Sequence, residues 1–307
     1  MVKLRGPLMS VDAKGTLGNT LTYQRGFGKN RATRVPKHRD MQSSKQLTQR
    51  FCFQAARDEW AWLSGAEKDD LSDEAEQFQM TGYNLFLRRY LKREYPGHHR
   101  LLIAMHEGAG SVITDHSGYN KNGACVGTQW TQRSNGLWVP NLDGVDDYIN
   151  YGDGASMAPP AITALVWVNP SSVATSGQSV LGNMGGGKGW LICISSTFLR
   201  VIIYTTVSGL ADKQTTFALS NGSWYQIGFS YSSTTKFRAY AQGNKVSEVL
   251  TPTGDMGASV YQMRSGKNEA GWGVGCKGLQ SEALIVDKVL SDNEVRDLCI
   301  AGLKHHA

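Results

Sequence analysis

The stretch that decides the fold is GSWYQIGFSYSSTTKFRAYAQGNKV, residues 222–246. Two runs of aromatic and aliphatic residues alternate with polar residues on either side of a Ser-Ser-Thr-Thr segment, and a Gln-Gly-Asn segment follows. Such alternation, bounded by turn-forming residues, is typical of antiparallel β-strands. The stretch therefore predicts two strands that pair with each other.

Similar apolar runs recur through the second half of the chain, separated by Gly, Asn, Ser and Asp. They include ITALVWVNP (162–170), GWLICIS (189–195) and LRVIIYTT (199–206). Short strands at this spacing indicate an antiparallel sandwich or jelly roll. A composition of 40% hydrophobic residues, 19% charged residues and 35 glycines agrees with a folded, loop-rich β protein and argues against a disordered or coiled-coil chain.

The first hundred residues have a different pattern, which predicts helices. Leu47, Phe51 and Ala55 are spaced four residues apart, as on one face of a helix that runs from about residue 44 to about residue 64. Near the other end of the chain, Val295 and Leu298 are three apart and predict one more short helix.

Two capping signals predict where the next helices begin. Ser64 followed by Glu67 has the form of a capping box for a second helix, and Thr81 can cap a third. The helical pattern stops at the Pro-Gly pair of residues 96–97, where the strand pattern takes over. We therefore expect two domains, residues 1–97 and residues 98–307.

The positive charge of the chain is concentrated in one segment. Residues 1–50 contain eleven Lys or Arg and two Asp, a net charge of +9, whereas the whole chain carries +6. The segment TLGNTLTYQRGFGKNRATRVPKHR (16–39) has few large apolar side chains and cannot build its own core, so we expect a β-hairpin or extended arm lying across another molecule. The basic residues expected to contact that molecule are Arg25, Lys29, Arg31, Arg34, Lys37 and Arg39.

Three interpretations of this basic arm are open. An arm that crosses an acidic neighbouring subunit needs these charges and an extended backbone, and this is the interpretation that we favour. Nucleic-acid binding needs the same charges together with stacking aromatic residues; Tyr23 and Phe27 are the candidates, and a nucleic-acid partner is not expected. The third interpretation is a solvated tail without a partner.

The sequence also bears on location and redox chemistry. No apolar run approaches the roughly 20 residues that span a bilayer, and MVKLRGPLMS lacks the apolar region of a signal peptide. We therefore expect synthesis in a host cytoplasm and no membrane partner. The five cysteines are scattered and form no C-x-x-C pair, which argues against disulfides and against a cysteine-bound structural zinc.

Four stretches in order make the second half resemble the laminin-G-like, concanavalin-A-like jelly rolls of microbial and phage surface proteins. The resemblance spans about residues 100–303 and begins with LLIAMHEGAGSVITDHSGYNKNGACVG (101–127) and LDGVDDYINYG (142–152). It continues through residues 222–246 and ends with LQSEALIVDKVLSDNEVRDLCIAG (279–302), which is similar to the family's closing strand and short helix. The fold implied is mainly β: a jelly-roll β-sandwich preceded by a small α-helical module with a basic hairpin or extended arm.

The first hundred residues resemble an N-terminal module of phage structural proteins. In that module a basic Gly-rich hairpin precedes a helix with a Q-x-x-Q-R pattern, here Gln46, Gln49 and Arg50. A Trp-x-x-Leu-Ser step and a Tyr-Asn-x-Phe segment follow, here at residues 60–64 and 83–86. The resemblance implies a virion component with an assembly module that forms homo-oligomers in the assembled particle.

The stretch LDGVDDYINYG brings three carboxylates close together in sequence, which raises the question of catalysis or metal binding. Asp146 and Asp147 are adjacent and would point to opposite faces of a strand, so they make a poor acid/base pair. The Glu-x-Asp-x-x-Glu strand of glucanases that share the fold does not occur in the sequence. We favour a structural turn, with calcium bound through Asp115, Asp143 and Asp146 as the alternative.

A glycine-rich run and two histidine pairs are given structural rather than catalytic roles. GNMGGGKGW (182–190) lacks the Ser or Thr after its lysine and the following helix that a phosphate-binding loop requires, so it is interpreted as a loop between strands. The histidines occur outside known catalytic motifs. His98-His99 is assigned to a linker, and His305-His306 to a frayed, solvated tail, with metal binding as the alternative.

Aromatic residues in or beside predicted loops are candidates for sugar contacts. Flat rings near Asn, Asp and Gln side chains suit the faces and hydroxyl groups of sugars. Trp167 and Trp224, in contrast, lie within apolar runs and are predicted to belong to the core. The candidates for glycan binding are Tyr119, Trp130, Trp190 and Trp272.

Together the two resemblances imply a non-enzymatic phage structural protein located in the virion, as a head decoration, neck or tail component. Residues 1–97 would bind other virion subunits, with Phe51, Trp60 and Phe86 packing the helical module, and the jelly roll would be displayed towards host glycans. The alternative is a cellular carbohydrate-binding or adhesion protein, assisted by calcium. A lyase or hydrolase on the same fold is a third class, and no cofactor other than calcium is expected.

Overall fold

The computed structural model describes residues 15–17, 21–26, 29–34, 43–175, 177–249 and 253–306. The chain forms two compact units, Met1–Met41 and Gln42–Ala307. We call the first the basic unit and the second the body.

The basic unit contains a three-stranded antiparallel sheet in the order β1-β2-β3. Its strands are β1 (Gly15–Leu17), β2 (Leu21–Gly26) and β3 (Lys29–Arg34). Strands β2 and β3 pair from Leu21 opposite Arg34 to Gly26 opposite Lys29. Of the two predicted forms of this segment, the described backbone therefore has the β-hairpin.

The body begins with three helices, α1 (Ser44–Trp62), α2 (Gly65–Glu76) and α3 (Gly82–Leu91). Local sequence sets their starts, because Ser64 and Glu67 form the predicted capping box of α2 and the Thr81 side chain caps α3. A fourth helix, α4 (Asp292–His306), follows the last strand.

In the described residues of the body, seventeen strands form two sheets in which most neighbouring strands are antiparallel. The first nine are β4 (His99–Ile103), β5 (Val112–Ile113), β6 (Gly123–Val126), β7 (Gln129–Gln132), β8 (Trp138–Asp143), β9 (Tyr148–Asn150), β10 (Ala161–Pro170), β11 (Gln178–Gly182) and β12 (Trp190–Ser195). The remaining strands are β13 (Phe198–Thr205), β14 (Gly209–Ala218), β15 (Tyr225–Ser232), β16 (Thr235–Ala241), β17 (Asn244–Val249), β18 (Arg264–Ser265), β19 (Val274–Gly275) and β20 (Lys277–Val286).

The two sheets lie face to face as a sandwich. One has eight strands in the order β17-β16-β15-β10-β20-β8-β7, with β4 paired to β20. The other has nine strands in the order β14-β13-β12-β11-β18-β9-β6-β5, with β19 paired to β11. Alternate residues point inward and form one large core, which includes Ile103, Val166, Ile192, Ile203, Phe229 and Ile285. This architecture confirms the predicted jelly-roll sandwich.

The four helices that the structure describes lie on the outer side of the eight-stranded sheet, where α2 packs mainly on α3. Phe86 of α3 shares one buried cluster with Leu102, Leu165 and Leu284 of the sheet, and none of these four side chains is more than 4% exposed. The predicted packing role of Phe51 and Trp60 is also seen, since both lie against this cluster. We call the outer side of the eight-stranded sheet the covered face.

The predicted domain boundary at residue 97 is therefore not a boundary between compact units. The helices bury their apolar sides on the sheet, and the carboxylate of Glu59 in α1 accepts hydrogen bonds from His98 N (2.6 Å) and His99 Nδ1 (2.8 Å). His99 is 2% exposed and begins β4, so the assignment of His98-His99 to a linker was wrong. The chain divides near residue 41 instead.

Two further sequence expectations can be compared with the structure. All five cysteines are free thiols. Among the residues that the structure describes, no helix is long and apolar enough to cross a membrane.

Candidate functional site

The outer side of the nine-stranded sheet, which we call the open face, differs from the covered face because the body's helices pack on the opposite sheet. Successive side chains of a strand point to opposite sides of the sheet, so every second residue of these strands lies on the open face. In β9, Ile149 points into the core, so its neighbours Tyr148 and Asn150 point outward. In β18, Ser265 bonds to the buried Tyr151, so Arg264 points outward as well.

Strand pairing brings these outward residues together into a polar network. Arg264 lies directly opposite Asn150 in the sheet. The Gln262 Oε1 atom accepts hydrogen bonds from Asn150 Nδ2 (2.7 Å) and from Arg264 Nη2 (3.2 Å). Arg264 Nη2 also donates to Glu269 Oε1 at 2.9 Å. The network presents amide and charged groups side by side on the open face.

An aromatic ring completes this network. The Arg264 guanidinium carbon lies 4.3 Å from the centre of the Tyr148 ring, which is the geometry of a cation–π contact. The Arg264 Nε atom is buried and has no hydrogen-bond partner in the part of the chain that the structure describes. A ligand hydroxyl or carbonyl oxygen that reached this atom would supply the acceptor that it lacks.

A second aromatic residue of the open face lies over strands β11 to β13. Trp272 packs on a small outward cluster that includes Leu191, Cys193 and Ile202. The Arg200 guanidinium carbon is 5.3 Å from the centre of its ring, and Arg200 Nε donates to Asp212 Oδ1 at 2.7 Å. Partly exposed rings flanked by charged and amide groups are the residue types that bind sugars.

The four aromatic residues predicted to bind glycans are not brought together. Trp190 is fully buried between the sheets, where its Nε1 donates to the Met157 carbonyl at 2.8 Å. The prediction for Trp190 was wrong, because a core side chain cannot reach a surface ligand. The glycine-rich run before it misled the prediction; that run is a loop between β11 and β12, as expected.

The other three candidates occupy separate places. Tyr119 is half-buried beside β4, under the Arg100 guanidinium, and its hydroxyl donates to the Gly97 carbonyl. Trp130 lies in β7 of the eight-stranded sheet and donates to the Gly110 carbonyl at 3.0 Å. Trp272 is the candidate that lies on the open face. The predicted core residues Trp167 and Trp224 are both buried.

The three aspartates of LDGVDDYINYG form a turn that leads into β9. One carboxylate oxygen from each aspartate lies within 4.8 Å of one oxygen from each of the other two. Asp143 Oδ1 accepts from Val145 N (2.7 Å) and Asp146 N (3.4 Å), and Asp147 Oδ2 accepts from Asp143 N (2.9 Å). The hydrogen bond from the Val145 amide lowers the pKa of Asp143, whereas burial raises the pKa of Asp147. Calcium binding by Asp143 and Asp146 stays a prediction.

Asp115, the third predicted calcium ligand, has a different role. Its side chain is fully buried and accepts hydrogen bonds from Leu102 N, Ser117 N, Ser117 Oγ and Lys121 N, at 3.0, 3.0, 2.6 and 2.8 Å. Protein donors thus occupy both carboxylate oxygens. The prediction that Asp115 binds calcium was wrong, because this carboxylate holds the loop after β5 against β4.

The six basic residues predicted to contact a partner lie in the basic unit. The backbone of Arg25 belongs to β2, and that of Lys29, Arg31 and Arg34 belongs to β3. Lys37 and Arg39 lie outside the described residues. Their proposed contacts stay a prediction.

The prediction of a frayed tail at His305-His306 was wrong. Both residues belong to α4, and the His306 ring lies 4.6 Å, centre to centre, from each of Trp167 and Trp224. The end of the helix is therefore packed against the covered face.

The polar network of the open face was not identified from the sequence, although the sequence contains a signal for two of its neighbouring residues. The period of two in the Tyr-Ile-Asn run predicts that Tyr148 and Asn150 share a face of a strand. Arg264 and Glu269 are more than a hundred residues away in sequence, and only the pairing of β18 with β9 brings them to the same place.

Comparisons with known proteins agree with this architecture. The family model of the concanavalin A-like lectin/glucanases superfamily matches residues 143–296, about half of the chain. No curated protein matches the chain.

Several solved structures share the fold at low sequence identity. The binding domain of Paraclostridial Mosquitocidal Protein 1 superposes with a TM-score of 0.54 and 15% identity, over 66% of this chain and 52% of that chain. Domain 4 of AbnA, an extracellular arabinanase from Geobacillus stearothermophilus solved with arabinotriose, gives a TM-score of 0.53 and 19% identity, over 66% of this chain and 98% of that chain.

The binding domain of botulinum neurotoxin DC, solved with rat synaptotagmin II, gives a TM-score of 0.50 and 14% identity, over 66% of this chain and 51% of that chain. The matches span about half the length of the two toxin chains and nearly all of the arabinanase domain. From the family match, the two face-to-face sheets and these superpositions, the chain belongs to the concanavalin A-like lectin/glucanases superfamily.

Proposed function

We propose that this protein is a non-enzymatic structural component of a phage particle. In this proposal the basic unit docks on a neighbouring virion subunit, and the body is displayed with its open face available to host glycans. The observation that carries the proposal is the division of the chain into a small basic β-unit and one large body that includes the helices.

The charge distribution supports docking through the basic unit. Residues 1–50 carry a net charge of +9, whereas the remaining residues are close to neutral. Guanidinium groups on an extended strand can form charge-assisted hydrogen bonds with carboxylates of a neighbouring subunit. The helices are integrated into the body, so the anchoring function is assigned to residues 1–41 rather than to residues 1–97.

The open face supports glycan binding. It carries the polar network of Asn150, Gln262, Arg264 and Glu269 beside the ring of Tyr148, and the ring of Trp272 lies over other strands of the same face. The superpositions include an arabinanase domain solved with arabinotriose, a sugar ligand in that protein. Glycan binding is also what the alternative function, a cellular carbohydrate-binding or adhesion protein, requires.

A non-enzymatic role is proposed because the carboxylates near the open face are held by other groups. Glycoside hydrolysis needs two carboxyl groups that face one cleft, about 5 to 9.5 Å apart. Glu269 is paired with Arg264, and Asp143 and Asp147 accept backbone hydrogen bonds within a turn. These contacts favour binding over turnover.

Particle incorporation tests the docking role. Arg25, Arg31, Arg34 and Arg39 would be changed together to Gln, and copies per particle would be counted in particles purified from the producing cells. The expected result is a strong loss of incorporation, because the cationic contacts are removed. The matched control changes four exposed basic residues of the body to Gln: Arg57, Lys92, Lys277 and Arg296. Normal incorporation of the arm variant would contradict the proposal.

A glycan array tests the open face. The wild-type chain is compared with Trp272→Ala and with Trp130→Ala, an aromatic control on the other sheet. Loss of binding in Trp272→Ala with retention in Trp130→Ala supports the proposed face. The same array run with a chelator tests whether calcium assists, and equal binding by all three proteins would place the glycan elsewhere.

A further inference from the structure

A buried cluster of metal-ligating side chains lies on the covered face, away from the site proposed above. It consists of Glu282 in β20 and of His305 and His306 at the end of α4, which we call the Glu282 cluster. One ligand atom from each residue lies within 4.8 Å of the other two. The side chains of Glu282, His305 and His306 are 3%, 11% and 0% exposed. Two imidazoles and one carboxylate form the ligand set of many zinc sites.

An irregularity in β20 places the carboxylate. The register of β20 against β10 shifts between the pairs Leu165–Leu284 and Trp167–Ser281, so β20 contains one extra residue there. Glu282 lies at this β-bulge with a φ of +40°, in the left-handed region that non-glycine residues rarely adopt. The bulge turns Glu282 towards the covered face, and such backbone conformations occur preferentially at functional sites.

The end of α4 supplies the two histidines. The His306 ring lies between Trp167 and Trp224, with centre-to-centre distances of 4.6 Å to both. Arg133 Nη1 donates to the His305 carbonyl at 2.7 Å and fixes the last turn of the helix. Both rings are thereby aimed at Glu282, with His305 Nε2 in direct contact with its Oε1 atom.

One ring nitrogen of the Glu282 cluster is buried without a hydrogen-bond partner. Among the residues that the structure describes, His306 Nε2 has no such partner, and the His306 side chain is 0% exposed. A neutral imidazole nitrogen in this position can bind a metal ion.

One distance in the Glu282 cluster matches the geometry of a zinc ion. Two ligand atoms at about 2.0 to 2.2 Å from a tetrahedral ion are about 3.3 to 3.6 Å apart. His306 Nε2 and Glu282 Oε2 are 3.5 Å apart, which is long for a hydrogen bond but matches one edge of such a tetrahedron. We propose that Glu282, His305 and His306 form a binding site for Zn²⁺, in which His306 Nε2 and a Glu282 oxygen provide the preformed edge and His305 Nε2 provides the third ligand.

Two contacts change when the ion enters. His305 Nε2 and Glu282 Oε1 move apart, because the ion replaces their direct contact. The proton that His305 Nε2 donates to Glu282 in that contact moves to His305 Nδ1 or is released, since a metal-bound nitrogen carries no proton. The proton of the His306 ring lies on Nδ1 when Nε2 binds the metal, so the contact between Nδ1 and Arg133 Nη1 is lost. That contact is 3.5 Å long and therefore contributes little.

A cavity beside the cluster provides the fourth coordination position. It has a volume of about 170 Å³ and is lined by Glu282 and His305 together with Gln54, Trp167 and Gln226. Zinc sites with three protein ligands keep a fourth position for water or another ligand, and this cavity is large enough for several waters. Two imidazole nitrogens favour zinc over calcium or magnesium, which prefer oxygen ligands.

Metal titration of the chelator-stripped full chain tests this proposal independently of particle or glycan binding. We expect saturable uptake of one Zn²⁺ per chain by calorimetry, and a Co²⁺ absorption spectrum of a tetrahedral site with nitrogen and oxygen ligands. Glu282→Gln and His305→Gln should each weaken Zn²⁺ binding at least about tenfold. The matched control is His98→Gln, since His98 is paired with a single carboxylate, Asp287, at 2.7 Å and should leave uptake unchanged.

Circular dichroism first confirms that each variant is folded. If a variant does not fold, the cobalt spectrum of the wild-type chain decides the question. No saturable uptake by the wild-type chain, uptake that Glu282→Gln and His305→Gln leave unchanged, or a thiolate charge-transfer band from one of the five free cysteines would each overturn the proposal.

Discussion

The covered face and the open face are the two outer sides of one sandwich, and side chains alternate between the inner and outer sides in both sheets. The described helices nevertheless pack on the covered face and not on the open face. The covered face carries Leu102, Leu165 and Leu284, which need a cover and obtain it from the helices. The open face carries Asn150 and Arg264, which both donate hydrogen bonds to Gln262. Large apolar side chains along the outward side of the eight-stranded sheet therefore require a layer of helices, whereas the small outward apolar cluster of the open face packs against Trp272.

Polar groups also differ between the two faces. On the covered face, the fully buried Glu59 is bonded to His98 and His99 and joins α1 to β4. On the open face, Arg200 and Asp212 form an ion pair in which both side chains are more than a quarter exposed. Solvent weakens such a pair, whereas a buried charge that loses its partner is costly. The comparison can be tested at four positions.

Phe86→Ala should have the largest effect, because it removes a fully buried ring from the interface between α3 and the sheet. The free energy of unfolding should fall by about 3 to 5 kcal/mol in a urea titration. Phe53→Ala on α1 is the control, since its side chain is 45% exposed, and it should change the free energy of unfolding by less than about 1 kcal/mol. Equal losses in both variants would mean that the helices are not a packed layer.

Glu59→Gln should have the next largest effect, about 1 to 3 kcal/mol at neutral pH, because charge-assisted hydrogen bonds to β4 are weakened. Burial would raise the pKa of Glu59, but the hydrogen bond and charge of His99 outweigh it, and the pKa lies below its ordinary value of 4.5. The folded state therefore binds fewer protons than the unfolded state near pH 4.5.

Because the folded state binds fewer protons, Glu59 contributes to stability above about pH 4.5. This contribution is lost as the pH falls through the pKa that Glu59 has in the folded state. Denaturation measured from pH 7 to pH 3 should show a steeper loss of stability for wild type than for Glu59→Gln. The exposed substitution Glu76→Gln on α2 serves as the control. Parallel pH profiles for wild type and Glu59→Gln would refute this role.

Ser64→Ala should cost about 1 kcal/mol, because it removes the N-cap of α2. Ser64 Oγ accepts from Glu67 N at 3.3 Å, and Glu67 Oε2 accepts from Ser64 N at 2.8 Å. Ser64→Asp retains an acceptor and should restore most of the melting temperature. A result in which Ser64→Asp melts as low as Ser64→Ala would show that the cap is not the cause.

Arg200→Ala on the open face should have the smallest effect on folding, no more than about 1 kcal/mol, and the loss should shrink as salt is added. The side chain is paired with Asp212 and lies over the Trp272 ring, both near the surface. Unfolding titrations at low and high salt measure this directly. A loss as large as that of Phe86→Ala, or one independent of salt, would show that the open face is as tightly packed as the covered face.

Local sequence signals predicted local structure well. The Ser64 capping box and the Thr81 cap mark the starts of α2 and α3, because a cap depends on residues three positions apart. The strand pattern around residues 222–246 became β15, β16 and the start of β17, paired in series. The signals failed where the partner is distant in sequence.

Three errors illustrate that limit. Trp190 follows a glycine-rich loop, which predicts a surface position, although the pairing of β12 buries it. The change of pattern at residues 96–97 predicts a domain boundary, although the apolar sides of the helices are buried on the sheet that follows. The position of the histidines at 305 and 306 predicts a solvated tail, although α4 returns them to Glu282.

From the sequence alone we could predict the long apolar strands, the starts of α1 to α3, the fold family and the concentration of positive charge, because each depends on neighbouring residues or on the order of motifs. The tertiary structure alone decided which sheet is covered and that Arg264 meets Asn150 and His306 meets Glu282. The physical reason is that the alternation of apolar and polar residues along a strand indicates which side chains share a face of that strand. Which face then meets a helix, water or a distant residue depends on the packing of the whole chain.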